Sequence, residues 1–83
     1  MLQPNEQMTL AAKLLKISME EVQQNSGIIE SNKALYYCMP VKGGEALMVA
    51  LDGSVLYADS SVGYSRHLQE FEKGRRTPLE AFE

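Results

Sequence analysis

The chain has 83 residues, a net charge of −3, one cysteine and one histidine. That length suits one domain, expected over residues 1–83, with a thin core, since a chain this short buries only roughly 60% of the surface its unfolded form exposes. Cys38 alone excludes an internal disulfide and a multi-cysteine zinc site, and the mild acidity argues against a general nucleic-acid binder, which presents a basic face.

A lone cysteine fits a reducing compartment. The N-terminus lacks a basic region followed by an unbroken apolar run, and no stretch approaches the roughly 18 apolar residues of a membrane span. A cytoplasmic protein with no membrane partner is expected.

Asn5, after Pro4, is placed to cap a first helix, with Glu6 in its first turn, where a negative charge complements the helix dipole. Leu10, Ala11, Leu14, Leu15 and Ile17 follow as one apolar stripe at helical spacing. "ISMEEV" then reads as a capping box. Ser18 is the cap, Glu21 lies three residues on, and Ile17 and Val22 take the positions of a hydrophobic staple. A second short helix is expected over about Met19–Asn25, closed by Gly27. Two helices at a tight corner have the outline of a helix-turn-helix. However, "MEEVQQNS" carries two glutamates and no Lys or Arg, so it would repel phosphate. No nucleic-acid partner is expected.

The period then changes to that of strands. "GIIE" is a short apolar run, "SNK" a turn, and "ALYYCMPVK", "EALMVAL" and "SVLYA" are strands separated by Gly43-Gly44 and Asp52-Gly53. A three- or four-stranded antiparallel meander results, with Lys42 and Glu45 as a cross-strand ion pair. Two-residue loops at both turns would pair Cys38 with Val49 and Val49 with Leu56. One face would then hold Tyr36, Cys38, Leu47, Val49, Leu51 and Leu56. The other would hold Leu35, Tyr37, Met39, Val41, Met48, Val55 and Tyr57. Both faces are apolar, whereas a sheet half open to water shows one polar face. Tyr37, Met39, Met48 and Tyr57 therefore mark a candidate self-association face.

The last helix is expected over about Ser61–Lys73, with Tyr64, Leu68 and Phe71 as its apolar stripe and Gly74 closing it. Leu79 and Phe82 either dock on the core or form a loose tail. Just before and inside this helix, "DSSVGYSRH" gathers an acid, serines and the histidine. A catalytic triad needs its base within reach of its nucleophile, but Ser65 and His67 point about 200° apart on a helix. Asp59, Ser60 and Ser61 follow a strand and read as capping residues. Cys38, in mid-strand, reads as a small buried hydrophobe. The spacings match neither a metal site nor a phosphate-binding fingerprint, so no metal or cofactor is expected.

Arg66, His67, Lys73, Arg75 and Arg76 form a basic cluster at the end of the chain. Adjacent arginines can fork onto carboxylate or phosphate, which makes this cluster a candidate anion or partner site, with Tyr64 on its rim. The expectation is an α+β fold: two N-terminal helices, an antiparallel meander, and one C-terminal helix packed on the sheet. The expected function is a non-enzymatic protein-interaction or regulatory module that self-associates through an apolar sheet face. The alternative is a small anion- or ligand-binding domain that uses the basic end of the last helix.

Overall fold

A computed structural model describes residues 1–40, 44–59 and 61–82. Two helices, α1 (Pro4–Leu15) and α2 (Met19–Gln24), precede four strands, β1 (Ser26–Ile28), β2 (Leu35–Cys38), β3 (Ala46–Val49) and β4 (Val55–Ala58). Helix α3 (Tyr64–Glu72) and a short 3-10 turn (Leu79–Phe82) follow. The strands form one antiparallel sheet in the order β1-β2-β3-β4. The fold is α+β, and "GIIE" supplies part of its first strand.

The helices begin where local chemistry satisfies their free N–H groups. Helix α1 starts two residues earlier than expected. Its cap is Gln3, Pro4 takes the first helical position, and the Glu6 carboxylate accepts from the Gln3 N–H at 2.8 Å. Ser18 caps α2 as its sequence indicates, with Oγ accepting from the Glu21 N–H at 3.1 Å. Asn25, not Gly27, ends that helix, and Gly27 belongs to β1. Between α1 and α2 the chain reverses through Lys16, which holds a left-handed φ of 58°.

The register differs from a meander with two-residue loops. Cys38 pairs with Ala46 rather than Val49, a shift of three residues, and the Met39 N–H bonds the Glu45 carbonyl. Val41, Lys42 and Gly43 lie outside the described residues, and with them the expected Gly43-Gly44 turn and the Lys42–Glu45 pair. The β3–β4 loop takes in Leu51 as well as Asp52 and Gly53, because Ala50 N–H bonds the Ser54 carbonyl. A type I′ turn needs positive φ at both central residues, yet only Gly53 has it, at 89°. The Asp52 carboxylate instead accepts from the Ser54 N–H at 2.9 Å, fixing the longer loop and shifting Val49 onto Val55.

Both shifts are odd, so β3 turns over relative to its two neighbours. Leu35, Tyr37, Leu47, Val49 and Val55 meet Ala11, Ala12 and Val22 in a core beneath α1 and α2. Ala34, Met48 and Ala50 meet Phe71 of α3 in a second, smaller core, with Tyr36, Leu56 and Leu68 around it. The four residues expected on one face are therefore divided. Tyr37 is fully buried on the α1–α2 side, where Met39 and Tyr57 pack half-buried against the same core. Met48 is fully buried on the α3 side.

Two tethers hold the layers. Gln7 of α1 is buried, and its Nε2 donates to the Val49 carbonyl at 2.9 Å and the Lys33 carbonyl at 3.2 Å. Thr77 covers the outer edge of β4: its N–H bonds the Val55 carbonyl at 2.7 Å, and its Oγ1 accepts from the Tyr57 N–H at 2.9 Å. Phe82 then rests edge-on against Tyr57, with ring centres 6.0 Å apart, while Leu79 stays half exposed.

Candidate functional site

Helix α3 starts later than the strand–serine junction suggests. Its cap is Gly63, because Asp59 is occupied locally: its carboxylate accepts from both the N–H and the hydroxyl of Ser61. Those bonds, the side-chain one first, hold the Asp59 carboxyl below its ordinary range. Ser60 lies outside the described residues. Ser65 is exposed and His67 is buried, as their helical spacing requires.

His67 is the polar centre of this side of the molecule. Only 1% of it is exposed, and its Nε2 lies 2.8 Å from the Leu56 carbonyl of β4. A carbonyl oxygen only accepts, so Nε2 carries the proton and Nδ1 presents a lone pair. That Nδ1 is buried and has no hydrogen-bond partner among the described residues. Burial pushes the His67 pKa down, and the bond to Leu56 offsets this only in part. The ring is therefore neutral near pH 7. The rings of Tyr36 and His67 meet edge-on at 5.9 Å, and Tyr64 packs on Tyr36 at 4.8 Å.

The C-terminal end of α3 turns the chain back toward this histidine. Gly74 takes a φ of 93°, its N–H bonds the Phe71 carbonyl, and the Arg75 N–H bonds the Glu70 carbonyl. This pair of bonds is a Schellman ending, which needs a residue free of a Cβ penalty at Gly74. Arg75 is thereby laid beside Glu70, with Nε 3.4 Å from Oε1, while Lys73 reaches Oε2 at 3.5 Å.

A cleft of about 260 Å³ results between α3 and β4. Arg66, His67, Glu70 and Arg75 supply its polar wall, and Leu56, Ala58 and Val62 its apolar one. Tyr57 borders it from β4, with its ring packed on the opposite side of the sheet against Phe82. Burial, then the Glu45 carboxylate, raises the Tyr57 hydroxyl to about 12, so it stays protonated. Glu70 offsets one positive charge, and Arg66, Lys73 and Arg75 together exceed it by two.

Of the five basic residues marked in the sequence, Arg66, His67 and Arg75 line the cleft, and Lys73 stands behind Glu70. Arg76 departs from the group. Its guanidinium lies 3.9 Å from the Phe71 ring centre and donates to the Ser54 hydroxyl and the Phe71 carbonyl, which makes it a strut between α3 and the β3–β4 loop. Tyr64 packs on Tyr36 and is not among the residues lining the cleft. Cys38 is exposed rather than buried: it ends β2 opposite Ala46, whose small side chain leaves the thiol uncovered. Glu70 was missed, and only its i,i+3 spacing from Lys73 hinted at a role.

Among the described residues no three His, Cys, Asp or Glu side chains converge as a metal site requires, and no helix is long and apolar enough to cross a membrane. Comparison with protein-family models, with curated proteins and with solved structures gives no match.

Proposed function

We propose that this chain is a non-enzymatic binding domain that takes a small anion in the cleft between α3 and β4. The observation that carries this reading is the convergence of Arg66, His67 and Arg75 on one concave wall, with a surplus of positive charge. The volume supports a small ligand, since sites for drug-sized molecules begin at roughly 300 Å³. A binding role is supported over a catalytic one by the separation of exposed Ser65 from buried His67, which leaves the base without a nucleophile. Self-association through a sheet face draws no support from this arrangement, because Tyr37 and Met48 are buried within the chain on opposite sides.

The test is a titration of ¹⁵N-labelled protein with inorganic phosphate at low ionic strength, read by amide NMR. Saturable shifts confined to α3, the turn through Arg75 and β4 are expected. Shifts spread evenly over the surface lysines and arginines, or no shifts at all, would remove the reading.

A further inference from the structure

A second hollow lies on the other side of the sheet, between α1 and the 3-10 turn at Leu79–Phe82. It measures about 490 Å³, a volume suited to a small organic ligand. Leu10 and Leu14 line it from the helix, and Phe82 and the half-exposed Leu79 line it from the turn. Leu10 and Lys13 carry the hollow on toward Leu2, and Leu14, Lys16 and Phe82 carry it on toward Tyr57. One apolar groove therefore follows α1 along its outer side.

Charge is distributed unevenly along this groove. Among the described residues, the charged side chains lining its middle are Lys13 and Lys16 alone, whereas Glu6 stands at one end and Glu45 at the other. Neither lysine forms an ion pair among the described residues. Lys13 sits in the last turn of α1, where a cation complements the dipole. Lys16 lies past the helix end in a left-handed conformation, φ 58°, which is unfavourable for a residue with a Cβ. Like charges three residues apart repel, and one anion set between them relieves both. Glu6 and Glu45 restrict what that anion can be. A polyanion or an acidic helix laid along the groove would bring negative charge to both ends. A ligand with one anionic head and an apolar body meets the lysines with its head and the leucines with its body.

We infer that this groove binds an anionic amphiphile of the fatty-acid class. Its carboxylate lies between Lys13 and Lys16, and its chain lies against Leu10, Leu14, Leu79 and Phe82. The site is separate from the α3–β4 cleft and does not depend on it. No bond is made or broken.

The probe is decanoate, kept below the concentration at which it forms micelles and titrated into unaltered ¹⁵N-labelled protein at low ionic strength. Saturable amide shifts are expected over Leu10–Lys16 and Leu79–Phe82. Acetate has the charge without the chain and should leave those amides in place. Decyltrimethylammonium has the chain with the opposite charge and should bind at least about fivefold more weakly, the upper end of what exposed charge pairs supply. Octanoate, shorter by two methylenes, should bind about fourfold more weakly than decanoate, as expected for a chain half removed from water. Lys13→Gln/Lys16→Asn keeps a residue tolerant of the left-handed turn, and should weaken decanoate about fivefold while preserving its advantage over octanoate. Equal binding of decanoate and decyltrimethylammonium, equal shifts with acetate, shifts centred on Arg66 and Arg75, or no binding of decanoate would overturn the inference. Each of these outcomes leaves the phosphate titration of the α3–β4 cleft to be decided by its own result.

Discussion

On the side covered by α1 and α2, the sheet buries Leu35, Tyr37, Leu47, Val49 and Val55 against apolar helix residues; Gln7 gives its Nε2 to two backbone carbonyls, while its Oε1 and the Tyr37 hydroxyl are buried without a partner among the described residues. On the side covered by α3, the buried apolar set shrinks to Ala34, Met48, Ala50 and Phe71, and beside it sits a histidine with one nitrogen unsatisfied. Both sides bury polar atoms without partners among the described residues, and what sets the second apart is its smaller apolar set and the basic side chains beside it. The second gives up apolar contact to keep a polar group and a basic rim next to a cleft. A thin domain has little apolar surface to give up, so such a departure from core chemistry marks where a ligand is worth seeking.

Leu47 and Met48 are neighbours in β3, both fully buried and facing opposite sides, so they compare the two directly. Chemical denaturation should show Leu47→Ala destabilising by about 3–5 kcal/mol and Met48→Ala by about 2–3 kcal/mol, the upper and lower parts of the range for large-to-small core changes. Equal losses, or the reverse order, would break the comparison. Gln7→Ala comes next. It leaves the Val49 carbonyl without its Gln7 donor and should cost about 2 kcal/mol by the same measurement.

The third prediction concerns pH. Burial lowers the His67 pKa below the ordinary 6.5, so the unfolded chain binds the proton more readily. Stability should be unaffected by this group above the unfolded value and should decline as the pH falls below it, levelling off below the folded value. Thermal unfolding between neutral and mildly acidic pH checks this, and His67→Gln should flatten the decline. A decline that persists unchanged in that variant would locate the titration elsewhere. The smallest effect is expected at the β4 edge. Thr77→Val keeps the shape but removes the acceptor for the Tyr57 N–H, at about 1 kcal/mol.

Much of the architecture was legible because it rests on local signals. Ser18 with Glu21, the helical stripe through Ala11 and Leu14, and Gly74 at the end of α3 each specify their element within a few residues. The register was not legible, because Asp52-Gly53 is compatible with loops of two or three residues. The choice was made by Asp52 bonding Ser54 and keeping a negative φ. That shift sends Met48 to the opposite side from Tyr57, and the separate shift between β2 and β3 parts it from Tyr37, so the expected apolar face is divided. At the cleft, the sequence marked Arg66, His67 and Arg75, since they sit on one helix and its exit. It could not separate Arg76, whose stacking on Phe71 depends on where the chain goes after Gly74. Nor could it show Nδ1 unsatisfied, which follows from the carbonyl of a strand eleven residues away in sequence.

The central claim is that Arg66 and Arg75 hold an anion beside His67. It is met most directly by calorimetric titration of inorganic phosphate into the unaltered protein and into Arg66→Gln/Arg75→Gln at low ionic strength, after circular dichroism has shown both folded. Binding to the unaltered protein, weakened at least about tenfold in the double variant, is the predicted result. Phosphate binding of equal strength in both proteins would contradict it.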